Sequence, residues 1–183
     1  RYKAEKSKPS KIAIWQQQLT EKALRLTGFE PNTAAEALIP KGMSRFYLDE
    51  AESLQACIPG AGGVFTARSL AKIYAALANH GEIDGVRLLS EKTVGELVKV
   101  HNRNRGDVVP MAMHWRLGYH RVFTTWPKTP YAFGHFGYGG SGAWADPSRH
   151  LAVGFIVNTG SGSPFADLRI WKINTAIIEA VGG

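Results

Sequence analysis

The chain has 183 residues, of which 44% are hydrophobic and 20% charged, values typical of one folded domain rather than of intrinsic disorder. Its single cysteine, Cys57, excludes an intrachain disulfide and a cysteine-based metal site. The net charge of +7 is dispersed after a basic start, without the continuous basic stripe of a nucleic-acid-binding protein, and no apolar run is long enough to span a bilayer.

The first third of the chain is predicted to be mainly helical. An amphipathic helix is predicted over residues 11–27, where apolar residues recur at three- and four-residue spacing: Ile12, Trp15, Leu19, Ala23 and Leu26. A shorter helix is predicted over residues 47–57, and Pro59 and Gly60 follow its end. The stretch between these two helices is predicted to be mostly loop.

A glycine-rich loop then leads into another predicted helix. Thr66 is its predicted N-cap, and Gly81 is placed to end it. The predicted apolar face of this helix consists of Leu70, Ile73, Tyr74, Leu77 and Ala78. The pair Asp84-Gly85 then predicts a tight turn, after which Ser90 is expected to cap a short helix.

The pattern changes to strands in the second half of the chain. Residues 115–123 alternate as a strand does, and residues 142–146 and 151–158 predict an antiparallel hairpin. A helix near residues 165–181 is predicted to cover the sheet with an apolar face made of Leu168, Trp171, Ile173, Ile177, Ile178 and Val181. Helices, then an antiparallel sheet, then a covering helix predict an α+β fold.

Three segments of the chain together resemble a known family. Residues 56–77 (ACIPGAGGVFTARSLAKIYAAL) and 83–90 (IDGVRLLS) resemble a loop, helix and turn of esterases similar to class C β-lactamases. Residues 133–141 (FGHFGYGGS), followed by Ala-Asp-Pro at 145–147, resemble the third active-site box of the same group. The order and spacing of these segments carry the resemblance, which covers about residues 50–183. The chain therefore resembles the C-terminal part of a serine β-lactamase-like, penicillin-binding-protein-like esterase.

This resemblance implies a β-lactamase/transpeptidase-like fold and a set of site residues. The third box corresponds to His135-Phe136-Gly137, and the implied catalytic residues are His135, Gly137 and Tyr138. His135 is expected to polarise the site or bind a substrate carboxylate, Gly137 to let the substrate approach the strand, and the Tyr138 amide to donate to the oxyanion. The expected substrate-binding residues are Phe136, Gly139, Gly140 and Ser141.

The family's other two boxes, Ser-x-x-Lys and Tyr-x-Asn, are expected elsewhere. The chain contains one Ser-x-x-Lys, at Ser69–Lys72, but it lies in the segment that resembles a helix downstream of the family's catalytic tyrosine. We expect Ser69 and Lys72 to belong to an ordinary amphipathic helix. No Tyr-x-Asn follows them in the sequence. The nucleophile is therefore expected on upstream sequence or on a companion chain.

The sequence thus predicts a serine hydrolase that cleaves an ester or amide through an acyl-enzyme, with this chain supplying one wall of the site. Residues 1–183 are expected to form one portion of a single domain, in which residues 1–45 are not placed. The expected partners are a small-molecule ester or amide substrate and the upstream half of the domain, with no nucleic acid, cofactor or metal. The alternative is a non-catalytic binding module that keeps the fold. No signal peptide is visible, and the compartment is left open.

Overall fold

The computed structural model describes residues 15, 18–19, 22, 25–26, 36–37, 50–60, 62–106, 108–109, 111–126, 128–137, 139–159 and 168–182. The chain divides into two compact units. One unit comprises residues 1–57 and 105–112, and the other comprises residues 58–104 and 113–183. The second unit carries the sheet and the predicted site residues.

The described residues at the start of the first unit are helical. Within the helix predicted over residues 11–27, these residues are Trp15, Gln18, Leu19, Lys22, Arg25 and Leu26. Three of the apolar side chains that form the predicted amphipathic pattern are exposed, by 63% at Trp15, 51% at Leu19 and 85% at Leu26. Helix α1 spans Ala51–Gln55 and confirms the shorter helix predicted over residues 47–57.

Helix α2 of the second unit spans Ala67–Ala78 and begins at the predicted cap. The Thr66 hydroxyl accepts a hydrogen bond from the Ser69 backbone N–H at 3.1 Å, and the Thr66 N–H donates to Ser69 Oγ at 3.0 Å. This reciprocal pair is a capping box, which satisfies two amide groups that a helix start otherwise leaves unpaired. The helix buries Tyr74 and Leu77, whereas Ile73 of the predicted apolar face is 41% exposed.

A small hairpin and helix α3 follow as predicted. Strands β1 (Glu82–Ile83) and β2 (Val86–Arg87) pair around the Asp84-Gly85 turn. Helix α3 spans Glu91–Val98, and the Ser90 hydroxyl caps it by accepting a hydrogen bond from the Thr93 N–H at 3.1 Å.

The sheet of the second unit has four antiparallel strands in the order β3-β4-β5-β6. These strands are β3 (His120–Arg121), β4 (Phe133–Phe136), β5 (Gly142–Asp146) and β6 (Leu151–Phe155). The predicted hairpin of β5 and β6 is confirmed, although β6 ends before residues 156–158. The strand predicted over residues 115–123 shrinks to β3, because Gly118 has a φ of 78° that interrupts an extended backbone.

Helices cover both faces of the sheet and confirm the α+β class. Helix α2 packs against β5 and β6, and the core on this α2 face consists of Tyr74, Leu77, Ala78, Leu97, Phe133, Ala143 and Ala145. The core on the opposite face, which holds helix α4 (Leu168–Ala180), consists of Val122, Ala132, Phe136, Trp144, Ile170 and Ile178. None of the helices in the described part of the chain is long and apolar enough to cross a bilayer.

The buried face of α4 matches the predicted one in part. Ile178 is buried, and Trp171 and Ile177 pack against the core, as predicted. Ile170 and Asn174 are also buried, whereas Leu168 and Val181 are 65% and 50% exposed. The buried stripe passes through a polar residue that a hydrophobic pattern does not count. The Trp144 Nε1–H donates to Asn174 Oδ1 at 2.9 Å, and the Asn174 Nδ2–H donates to the Phe123 carbonyl at 3.0 Å.

His120 is a second buried polar residue, with an exposed fraction of 1%. Its Nδ1 lies 2.8 Å from the Arg121 carbonyl, and its Nε2 accepts a hydrogen bond from the Phe136 N–H at 3.4 Å. This arrangement requires a neutral ring with its proton on Nδ1. Burial lowers the pKa of His120 to about 4, with smaller effects of nearby positive charges, against the opposing effect of the Arg121 carbonyl.

We predict that Gly154→Ala destabilises the fold. A Cβ at Gly154 would overlap the Ala67 carbonyl oxygen and lie 2.8 Å from the Ala71 backbone nitrogen, because β6 and α2 touch there through their backbones. We expect the free energy of unfolding in urea to fall by about 2 kcal/mol. The control is Gly95→Ala in α3, where no atom lies within 4 Å of the added Cβ, and a gain of about 0.5–1 kcal/mol is expected. Unchanged stability of Gly154→Ala would contradict this close packing.

We predict that stability falls below pH 6.5 because of His120. Its folded-state pKa of about 4 lies below the ordinary value of 6.5, so the unfolded chain binds the proton more readily between these values. This contribution is complete above pH 6.5 and is lost as the pH falls toward 4, by on the order of 3 kcal/mol. Urea unfolding across this range should show a flatter profile for His120→Gln and an unchanged profile for the exposed-site control His150→Gln. Identical profiles for all three proteins would contradict the prediction.

Candidate active site

Strand β4 places His135 on the α2 face of the sheet. Side chains alternate along a strand, so His135 lies on the same face as Phe133, two residues earlier. Phe133 is fully buried in the core beneath α2, whereas His135 is exposed. Helix α2 packs mainly on β5 and β6. Strand β4 therefore carries an exposed histidine on its α2 face, one residue before its end.

The ring of His135 contacts the ring of His120. Their centroids are 5.2 Å apart, and the planes meet at 65°, an edge-to-face arrangement. The residue as a whole is exposed, but its ring is partly buried. This burial lowers the pKa of His135. The imidazole is therefore mainly neutral at pH 7, with one N–H donor and one acceptor nitrogen. A neutral donor polarises a substrate oxygen, but it does not provide the fixed positive charge of a lysine.

The residues after β4 form a tight turn. The Gly137 N–H donates to the Ser141 carbonyl at 2.8 Å, and the Gly140 N–H donates to the Gly137 carbonyl at 2.9 Å. Gly140 has a φ of 94°, which L-residues with a side chain rarely adopt. The backbone is therefore extended only as far as Phe136, where β4 ends.

The other predicted substrate-binding residues are only partly brought together. The Phe136 side chain is 3% exposed in the core on the α4 face, opposite His135, so it does not line a site on the α2 face. The Ser141 hydroxyl accepts a hydrogen bond from the Val157 N–H at 3.1 Å and so ties the turn to the end of β6. Gly139 is exposed at the tip of the turn. Tyr138 lies outside the described residues.

An open cleft borders this turn. It has a volume of about 390 Å³, within the range of small-molecule pockets. We call it the hairpin cleft, and its lining residues are Gly63, Val64, Phe65, Leu70, Ser141, Gly142 and Ile156. Of these residues, only Ser141 was predicted from the sequence to belong to the site. Val64 and Phe65, at 77% and 48% exposure, are two adjacent apolar residues just before a helix cap, a position where apolar side chains need not be buried.

Ser69 and Lys72 occupy the local roles that we expected. The Ser69 hydroxyl donates to the Thr66 carbonyl at 3.0 Å and accepts from the Thr66 N–H at 3.0 Å. Lys72 Nζ pairs with the Asp84 carboxylate at 2.7 Å, and both side chains are exposed. The hydroxyl thus completes the helix cap, and the ammonium group supports the turn after the helix.

Asp146, from the Ala-Asp-Pro motif, is also structural. Its carboxylate is fully buried and accepts hydrogen bonds from the Ser148 N–H at 3.0 Å and the Ser148 hydroxyl at 2.6 Å. Its second oxygen pairs with Arg149 at 2.7 Å. The motif therefore fixes the turn between β5 and β6, and no chemical role is needed to explain it.

Comparisons with known proteins identify a matching family and similar proteins. The β-lactamase family matches residues 13–176, which includes the early residues that the motifs do not place. The esterase/β-lactamase LipL of Mycobacterium tuberculosis is 44% identical over 116 residues, which make up 60% of this chain and 25% of LipL. A novel penicillin-binding protein homologue from Caulobacter crescentus superposes with a TM-score of 0.66 at 30% identity, over 80% of this chain and 40% of that one.

A second solved structure is also similar to this chain. A family VIII carboxylesterase superposes with a TM-score of 0.51 at 32% identity, over 57% of this chain and 29% of that one. The chain thus spans about a quarter of LipL and about two fifths of the penicillin-binding protein homologue. Because the family match covers most of the chain, this protein belongs to the β-lactamase family.

Proposed function

We propose that this chain forms one wall of the acyl-transfer site of a serine hydrolase that acts on an ester or an amide. The observation that carries the proposal is the exposed His135 close to the unobstructed Gly137, at the end of β4. The names of its relatives, an esterase/β-lactamase and a carboxylesterase, support hydrolysis of an acyl bond.

In this proposal, the backbone after β4 binds the reacting group. His135 donates a hydrogen bond from a neutral ring to a substrate oxygen. A Cβ at Gly137 would meet only the Ser141 carbonyl oxygen, at an ordinary contact distance of 3.7 Å, so packing does not require glycine there. A substrate that lies against the backbone does require it. The Tyr138 amide donates to the oxyanion, and Gly139, Gly140 and Ser141 border the bound acyl group.

The nucleophile comes from outside this chain in our proposal. The Ser-x-x-Lys and Tyr-x-Asn boxes lie on an upstream segment or on a companion chain. Two observations support this assignment: Ser69 and Lys72 are occupied in a cap and an ion pair, and apolar residues are exposed near the hairpin cleft. These exposed apolar residues are Val64, Phe65 and Ile156, and in our proposal the rest of the domain packs against them.

The second candidate function is a binding module that keeps the fold without the chemistry. For the chain by itself, this candidate is favoured by the position of Ser69. The only Ser-x-x-Lys of the sequence begins at Ser69, and the hydroxyl of this serine is part of a helix cap. The two candidates differ in whether a serine of the assembled protein becomes acylated.

We predict that Gly137→Ala lowers hydrolysis without unfolding the protein. The added methyl group meets no atom closer than 3.7 Å, so the melting temperature should stay unchanged. It would stand where the proposal places the substrate, so kcat/KM for a p-nitrophenyl ester should fall about tenfold to a hundredfold. The measurement uses a protein that carries this chain together with both missing boxes.

The matched control is Gly106→Ala, where no atom lies within 4 Å of the added Cβ and the residue is remote from the proposed site in sequence. It should keep both the melting temperature and kcat/KM. His135→Asn, which retains a donor in a shorter side chain, should lie between wild type and Gly137→Ala. Full activity of Gly137→Ala with an unchanged melting temperature would refute this placement of the substrate.

We also predict that a fluorophosphonate does not label Ser69. Its hydroxyl donates to the Thr66 carbonyl, and Lys72 pairs with Asp84 instead of activating it. Intact mass measured on the full chain alone should therefore show no adduct, and Ser69→Ala should give the same result. An adduct that disappears in Ser69→Ala would make this serine the nucleophile and overturn our assignment of the missing boxes.

A further inference from the structure

A second cavity lies in the same unit as the sheet, on the side of helix α4. Its volume is about 400 Å³, which is large enough for a small organic molecule. We call it the cationic cavity because Arg103, Arg116, Arg121 and Lys128 line it together with His114. No aspartate or glutamate is among its lining residues.

Within the described part of the chain, none of the four cations has an acidic partner. The ion pairs found there involve Lys72, Arg87, Lys99 and Arg149. Arg116 is 6% exposed and donates to the carbonyls of Val98 and Pro130 at 3.0 and 2.8 Å, which hold its guanidinium without neutralising it.

Two residues that line this cavity each carry a buried donor without a hydrogen-bond partner among the described residues. These donors are Arg121 Nε and Trp171 Nε1. Buried N–H groups are almost always paired in native proteins, so two unpaired donors in the wall of one cavity are unusual. The rest of the Arg121 side chain is held in place, since its guanidinium carbon lies 5.2 Å from the centre of the Phe123 ring. Phe123 in turn stacks on Trp171 at 5.0 Å.

We propose that the cationic cavity binds a small organic anion, whose carboxylate or phosphate oxygens face the arginines and whose apolar part contacts Phe123 and Trp171. Water in the cavity would leave four positive charges together. An anion neutralises these charges, and a guanidinium group can form two parallel hydrogen bonds with a carboxylate or a phosphate.

The titration behaviour of the cavity is consistent with uncompensated charge. Burial, and then the charges of Arg121, Arg103 and Arg116, lower the pKa of His114. Burial and the charge of Arg103 also lower the pKa of Arg116. The contributions of the neighbouring arginines reflect repulsion between positive charges, which a bound anion would offset. The cavity is separate from the hairpin cleft, because the two have no lining residue in common.

The test measures binding of phenyl phosphate and of benzoate to the full chain by calorimetry and by the shift in melting temperature, at constant ionic strength set with sodium chloride. Both anions carry the apolar part, and they differ in the charged group. We expect at least one to bind with an affinity that falls about tenfold in Arg121→Gln. The stronger binder identifies the charged group as phosphate or carboxylate.

A second pair of variants keeps the test decisive if Arg121→Gln does not fold. Lys128 is exposed at the cavity, so Lys128→Gln should fold normally and weaken binding severalfold. The controls are Arg68→Gln and Lys172→Gln, which remove the same charges from exposed positions that do not line the cavity. The proposal is overturned if neither anion binds more tightly than chloride, or if the cavity variants bind as well as the two controls. Neither outcome depends on hydrolysis, so it leaves the proposed function untouched.

Discussion

The hydrogen bonds that join Trp144, Asn174 and the Phe123 carbonyl are the interaction on which the rest of the sheet unit depends. They connect a central strand, the last helix and the loop after β3, three parts that are distant in sequence. All of these groups are buried, and a buried donor or acceptor that loses its partner costs about 1–3 kcal/mol. The two bonds therefore favour one arrangement of α4 on the sheet. That arrangement positions β5, to which β4 is paired, and so it also positions His135.

The features predicted correctly are those that depend on a few adjacent residues. Thr66 caps α2 because its hydroxyl reaches an amide three residues ahead, and Asp84-Gly85 turns because the pair suits a two-residue loop. The wrong predictions concern features that depend on distant contacts. Residues 115–123 alternate as a strand does, but the positive φ of Gly118 breaks it. The buried stripe of α4 includes Asn174 because Trp144, thirty residues earlier, offers an indole N–H.

The proposed site shows the same limit of local sequence. The order of the motifs predicted roles for His135 and Gly137, which lie at the end of β4 and directly after it. It did not separate the two faces of the strand, so Phe136 was grouped with them although its side chain lies in the opposite core. Which face stays open depends on where α2 packs, and local sequence does not encode that contact. The hairpin cleft escaped prediction because residues 63–65 and 141–142 meet only in the folded chain.

Some glycines in and around the third box are required by the fold, and others are not. Gly134 is required by packing, since a Cβ there would lie 2.6 Å from the Trp144 Cα, and Gly142 is required because a Cβ would lie 2.8 Å from the Phe136 Cα. Gly140 is required by its positive φ. Gly137 and Gly139 have neither constraint, since their surroundings leave room for a side chain. The fold therefore does not explain these two glycines, and in our proposal Gly137 leaves room for the bound substrate.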